Sequence, residues 1–192
     1  GMLVERGVTG HCAVYDALGV SSVEAEGRAP RLVQQHGAAA VLDAQKAVKI
    51  ERAMTVSGRT PAELYAHWRN FENLGRVFRH LEKVEVLDAR RSRWTAKAPA
   101  GTSVSWEAEI INEIPDQLIA WKSVGRAQVR NAGSVHFSEA PGQRGTEIRV
   151  VLEYEPPAGR LGVAVARMFG EEPAIQVRED LRRFKALVEA GE

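Results

Sequence analysis

Cysteine is almost missing from these 192 residues: Cys12 stands alone, so no disulfide forms within the chain. A lone thiol suits a reducing, cytoplasmic setting, and a chain of this length buries enough surface to fold without covalent staples. An excess of charge of one sign is missing too. Lys and Arg number 26 against 25 Asp and Glu, a formal net charge of +1. That balance gives no basic footprint, and no nucleic-acid partner is expected. No apolar run reaches the roughly 18 residues of a membrane-spanning helix. Catalytic signatures are absent as well: there is no Gly-rich phosphate loop, no His pair at metal spacing and no nucleophile elbow.

What is present divides near residue 46. Residues 1–46 read as a tail and linker, with Gly1 a cleavage remnant ahead of Met2. Gly7, Gly10, Gly19, Gly27, Gly37 and Pro30 break short apolar pieces that never settle into a period, although Ala38–Ala40 could extend a short helix. Such a stretch cannot bury a core alone. His11, Cys12 and His36 are metal-capable, but a site needs three or four ligands, so neither a metal nor any other cofactor is expected.

Residues 47–192 read as one domain. In Val48–Val56 the apolar residues fall on alternate positions, the period of a half-buried strand, with Arg52 the exception on the inner face. Thr60-Pro-Ala-Glu63 is a helix start: a capping hydroxyl, Pro at the first helical position and Glu to complete a capping box. Leu64, Tyr65 and Trp68 share one face of that helix, and Phe71, Leu74, Val77 and Phe78 mark a second short one. From Leu81 to Pro156 the pattern is strand after strand. Val84/Val86, Ser92/Trp94/Ala96, Trp106/Ala108/Ile110, Asn131/Gly133/Val135 and Ile148/Val150/Leu152 each alternate with polar residues, between Gly- and Pro-rich turns. No helix separates these strands, so their sheet is antiparallel. Beyond Pro156, Leu161, Val165, Met168 and Phe169 form one helical stripe, Pro173 interrupts it, and Val177, Leu181, Phe184 and Val188 form another. Arg178-Glu-Asp180 and Arg182-Arg183 are placed on the opposite, charged face.

The expected fold is therefore α+β, of helix-grip type. A curved seven-stranded antiparallel sheet carries a long C-terminal helix over its concave face, and two short helices plug one end. The space between sheet and helix is a natural ligand cavity. Strand parity and helical spacing assign Trp94, Trp106, Asn131, Val135, Met168 and Phe169 to its wall. Trp121 falls on the same face. Asn131, an amide pointing inward, is available to a ligand carbonyl, or else to water and neighbouring backbone. Arg52 and His80 are further polar contacts to consider. The Arg52 stem is expected to run along apolar surface with its head in water. His80 is the candidate general base, and it lacks a visible carboxylate to orient it.

These segments resemble the START-like SRPBCC superfamily, in particular its bacterial polyketide cyclase/dehydrase-like branch. The resemblance is carried by Thr60-Pro-Ala-Glu-Leu-Tyr65, Trp68-Arg-Asn-Phe-Glu-Asn-Leu74, Arg79-His-Leu-Glu-Lys-Val84 and Trp94-Thr-Ala-Lys-Ala-Pro-Ala-Gly101. It continues through Trp106-Glu-Ala-Glu-Ile110, Asn131-Ala-Gly-Ser-Val135, Gly145-Thr-Glu-Ile148 and Phe169-Gly-Glu-Glu-Pro173 to Lys185. Two departures, Leu74-Gly75 where the family often has Leu-Pro and the Ser57-Gly58-Arg59 turn, fall at the plugged end. The resemblance implies a binder of lipids, polyketide-like aromatics or quinones, and it transfers no catalytic residue. The expected function is that of a carrier or sensor for such an apolar molecule. A polyketide cyclase or dehydratase using the same cavity is the alternative, since positioning alone drives such chemistry. A membrane-tethered interaction module is the third. Arg6-Gly-Val-Thr-Gly-His-Cys12, with Tyr15 and Ala17-Leu-Gly-Val20, resembles the end of a small bacterial inner-membrane protein family. That second resemblance implies association with the inner face of the membrane through segments outside this sequence. Nothing in the sequence fixes an oligomeric state.

Overall fold

The structure, a computed structural model, describes residue 42 and residues 46–97, 101–156, 159, 162 and 173–191. Strand β1 (Val48–Val56) leads into helices α1 (Pro61–Arg69) and α2 (Phe71–Val77). Six strands follow: β2 (Leu81–Val86), β3 (Arg91–Lys97), β4 (Ser103–Ile114), β5 (Leu118–Val124), β6 (Arg130–Glu139) and β7 (Thr146–Glu155). Helix α3 (Pro173–Ala190) ends the chain. The strands pair in the order β1-β7-β6-β5-β4-β3-β2, every pair antiparallel, in one sheet curled into a half-barrel. This is the α+β helix-grip architecture that the alternating pattern predicts.

Local chemistry sets the element ends. At α1 the Thr60 hydroxyl accepts from the Glu63 N–H at 3.3 Å, while Thr60 N–H donates to Glu63 Oε2 at 2.7 Å. Pro173 stands first in α3, where its missing N–H costs nothing. At the β6–β7 hairpin Gly145 has φ +108, and a Cβ there would sit 2.0 Å from the Val56 carbonyl oxygen. Only glycine permits that approach.

Because β1 and β2 are the two edges, the chain crosses from one to the other through α1 and α2. Helix α3 spans the same gap from the concave side. Near its end Lys185 Nζ donates to Thr55 O at 2.9 Å and Glu189 accepts the Ser57 N–H at 2.8 Å, fastening it to β1. Leu181, Phe184 and Val188 are buried beneath it, and Arg178 and Arg182 stay exposed. Phe184 packs edge-to-face on Trp68 of α1, ring centroids 5.1 Å apart. At the α1 end of the sheet, Leu64, Tyr65 and Trp68 fill the concavity, with Phe137 meeting the Tyr65 ring at 6.0 Å and the Trp68 ring at 6.3 Å.

Two expectations need correction. Asp180 is not on the charged outer face of α3; it is 4% exposed. It lies three residues after Val177 and four before Phe184, within the buried stripe. Val86 shares strand parity with Val84 yet is 47% exposed, because it ends an edge strand beyond the reach of the helices. On the convex face Leu42 packs against Ala132 and Val151. The rest of the 1–46 tail apart from Lys46 lies outside the described residues, as do the Leu161–Phe169 stripe's side chains.

Candidate functional site

The strand register places inner-face residues in rows across the sheet. One row runs Ser92–Ala108–Ser123 across β3 to β5 and continues as Asn131–Tyr154 on β6 and β7. The next runs Ile110–Trp121–Gly133–Leu152. Trp94 and Trp106 face each other on β3 and β4. Above these rows, at the end that α1 leaves open, lies a cavity of about 140 Å³ closed by α2 and α3. A single buried water needs roughly 10–15 Å³ by the same measure, so the space holds far more than stray solvent.

Large rings stand prominently on its wall: Trp68, Phe71, Phe78, Trp94, Trp106 and Trp121, among aliphatic side chains. Their positions are fixed locally. Trp94 Nε1 donates to Ser92 Oγ at 2.8 Å, and Phe71 tilts against the Trp94 ring at 5.7 Å. The Trp121 indole lies across Gly133, where a Cβ would stand 2.5 Å from its Cζ2 atom. Polar groups are few. Ser92, Asn131, Tyr154 and Glu109 come from the sheet, and Gln176 and Asp180 from α3, with His80 between α2 and β2.

His80 has an acidic neighbour that the sequence did not reveal. Its Nδ1 lies 3.2 Å from Oδ2 of the buried Asp180, within ion-pair reach though not aligned on that oxygen for a hydrogen bond. Arg183 Nη1 bonds the other oxygen, Oδ1, at 2.5 Å. The His80 ring also stacks on Phe78 at 6.1 Å. An imidazole, a buried carboxylate and a guanidinium thus follow one another from the cavity wall outward. A buried charge is tolerated only when paired in this way.

Of the residues assigned to the wall from sequence, Trp94, Trp106 and Asn131 line the cavity, and His80, considered only as a polar contact, lines it too. Val135 does not. It shares the face but sits two residues before Phe137, towards the end that α1 fills, and is fully buried in packed core. Arg52 stays outside as well: it is on the edge strand, and its Nη1 donates to the adjacent Glu51 carbonyl at 2.7 Å. Met168 and Phe169 lie outside the described residues. Sequence reasoning missed Ser92 and Gln176 as wall residues, and Asp180. For Asp180 the signal was present in its spacing from Val177 and Phe184.

A second polar cluster marks the opposite end. Tyr65 O–H donates to Glu113 Oε1 at 2.6 Å, and Arg69 Nε donates to the same atom at 2.7 Å. Burial pushes Glu113 upward, but the hydrogen bonds from Tyr65 and Arg69 outweigh it and hold the carboxyl below its ordinary 4.5. Burial, reinforced by the bond to Glu113, pushes Tyr65 up to about 12. The cluster ties α1 to β4 and is not part of the cavity wall. Among the described residues no three His, Cys, Asp or Glu side chains gather as metal ligands, and no helix is long and apolar enough to cross a membrane.

An antiparallel half-barrel closed over an apolar cavity by a C-terminal helix defines a START-like ligand-binding domain. The chain belongs to the polyketide cyclase / dehydrase and lipid transport family, whose model matches residues 57–182. Among solved structures it is similar to DR_A0006 from Deinococcus radiodurans, 42% identical with a TM-score of 0.61, covering 76% of this chain and 100% of that one. The Zhui aromatase/cyclase from a Streptomyces species shares the fold at 17% identity and a TM-score of 0.59, over 74% of this chain and 94% of that one. An uncharacterized 17.2 kDa protein of Streptomyces lincolnensis is 26% identical over 144 residues, 73% of this chain and 89% of its own length.

Proposed function

We propose that this protein binds an apolar small molecule in the cavity under α3 and acts as its carrier or sensor. Lipids, polyketide-like aromatics and quinones are the candidate classes. The observation that carries the reading is that all four tryptophans of the chain stand on the cavity wall. Indole faces offer burial and offset stacking to a planar guest and ask little of it in polar matching. The family's own description, which includes lipid transport, supports the same class.

The test uses those tryptophans as reporters. Freshly purified protein is analysed by native mass spectrometry for a retained small molecule, and emission is then followed while an apolar probe such as naphthalene is added. Ala108, buried between Ser92 and Ser123 on the cavity floor, is replaced by Phe to occupy the space. Binding is expected in the parent and lost in Ala108→Phe, with the far-UV spectrum unchanged. Should a folded Ala108→Phe variant bind naphthalene as the parent does, the ligand space is elsewhere.

The His80–Asp180 contact favours a second reading, an enzyme of dehydratase or cyclase type. A β-hydroxyketone loses water when a base takes the proton from the α-carbon, the C–O bond breaks and hydroxide leaves as water on gaining a proton. On this reading His80, within ion-pair reach of Asp180, is the group that moves that proton. The probe is 4-hydroxy-4-phenylbutan-2-one, whose conjugated product is read by absorbance. Acceleration by the parent, lost in His80→Gln while naphthalene still binds, supports the enzyme. A parent no faster than buffer removes this reading and leaves the carrier.

A further inference from the structure

The side-chain amide of Asn131 is held in one orientation. The paired register of β5 and β6 ends at Lys122↔Ala132. The next N–H, that of Asn131, goes to the Ser123 hydroxyl oxygen at 3.0 Å. Asn131 Nδ2 in turn donates to the Val129 carbonyl at 3.1 Å. A carbonyl only accepts, so the arm of the amide on Val129 is its nitrogen and the other arm is its oxygen. That assignment follows from hydrogen-bond chemistry and is not open to the usual exchange of the two atoms. The residue is 6% exposed and lines the cavity, and Oδ1 receives no hydrogen bond from any described residue. An amide oxygen without a protein partner on a cavity wall is available to whatever fills the cavity.

We infer that Asn131 is a specificity-determining residue of the cavity, its Oδ1 accepting a hydrogen bond from a hydroxyl or amine on the otherwise apolar guest. This polarity is the reverse of the ligand-carbonyl contact considered from sequence. One Nδ2 hydrogen is committed to Val129, whereas the oxygen has both lone pairs uncommitted, so acceptor capacity dominates. The inference rests on the reading of the cavity as an apolar ligand site and adds the donor requirement to it.

Equilibrium dialysis against five naphthalenes separates the two ideas. Naphthalene itself reports the cavity alone. 2-Naphthol and 2-naphthylamine bring a donor, 2-methoxynaphthalene keeps the oxygen but loses the donor, and 2-naphthaldehyde offers a carbonyl. The parent is expected to hold the naphthol and the amine about tenfold more tightly than the methoxy compound. Asn131→Leu is expected to erase that preference, so that naphthol and methoxynaphthalene bind it alike. Equal binding of naphthol and methoxynaphthalene by the parent, with naphthalene retained, overturns the donor inference and spares the cavity. Tighter binding of the aldehyde than of the naphthol overturns it too, by reversing the polarity. Failure to retain naphthalene overturns the ligand-site reading, and this inference with it. If Asn131→Leu does not fold, the contrast among probes in the parent decides by itself.

Discussion

Replacing Gly133 with Ala sets two opposed effects against each other at the cavity floor. Gly133 is mid-strand with an ordinary backbone conformation, so removing glycine's excess freedom should stabilise the chain by roughly 0.5–1 kcal/mol. Against this, the added Cβ meets Trp121 Cζ2 at 2.5 Å and the Val151 carbonyl oxygen at 2.7 Å. The indole can swing away, but the carbonyl belongs to β7, whose pairing with β6 holds both backbones in place. Overpacking costs typically 1–3 kcal/mol, and with a backbone carbonyl as the obstacle the upper part of that range applies, so the variant should lose about 1–2.5 kcal/mol. Urea unfolding followed by circular dichroism gives that number. Tryptophan emission of the folded variant supplies an independent check, since Trp121 must move into the cavity to make room. Probe affinity should fall with it. A Gly133→Ala protein as stable as the parent, with the same emission and the same naphthalene affinity, would falsify the packing account of this floor.

Three further perturbations probe how the domain is held. Phe184→Ala should cost about 3–5 kcal/mol in urea melts, since a fully buried ring against Trp68 is removed, and a loss under about 1 kcal/mol would mean that α3 does not grip the sheet. For the acid limb, Glu113 has a folded pKa below its unfolded value, so its contribution is present above about 4.5 and drains away as pH falls through the lower folded value. Glu113→Gln should lose that component of the acid dependence, and an unchanged pH profile of stability below 4.5 counts against the cluster. Residues 1–46 are expected to be dispensable for folding: deleting residues 1–41 should leave the melting temperature close to the parent's. Deleting through residue 46 also removes Leu42 from Ala132 and Val151 and should cost roughly 1 kcal/mol more. An unfolded truncation would place the tail inside the fold.

Much of the sheet was readable before any coordinates because period two leaves little freedom. In β3 and β4 buried residues alternate with more exposed ones, so a slip of one residue would turn the apolar set outward, whereas β5 and β6 bury residues on both faces. Parity therefore names the face correctly for Trp94, Trp106, Trp121 and Asn131. It does not say how far along the strand a helix covers that face. Val135 illustrates the limit, since only the position of α1 and the Phe137 contacts assign it to packed core. Helical spacing in α3 was equally legible for Leu181, Phe184 and Val188. It failed at Asp180, where a charged side chain inside the apolar stripe looked like part of the charged face.

That failure has a physical cause. A carboxylate is counted as surface because burying one alone costs too much, and its partners were invisible in the sequence. Arg183 is a near neighbour on the same helix, but His80 meets Asp180 only because α3 closes the gap between the two edge strands. Long-range closure of this sort has no local signature. The same holds for Asn131, whose inward direction follows from parity while its polarity depends on Ser123 and Val129 at the frayed end of the β5–β6 ladder. In this fold, then, the apolar part of the site is written in alternation along the strands. The polar atoms that give it selectivity are set where regular pairing stops, at a ladder end and at a helix-to-strand junction. Substitutions in those irregular places should change what the cavity accepts more than whether the domain folds.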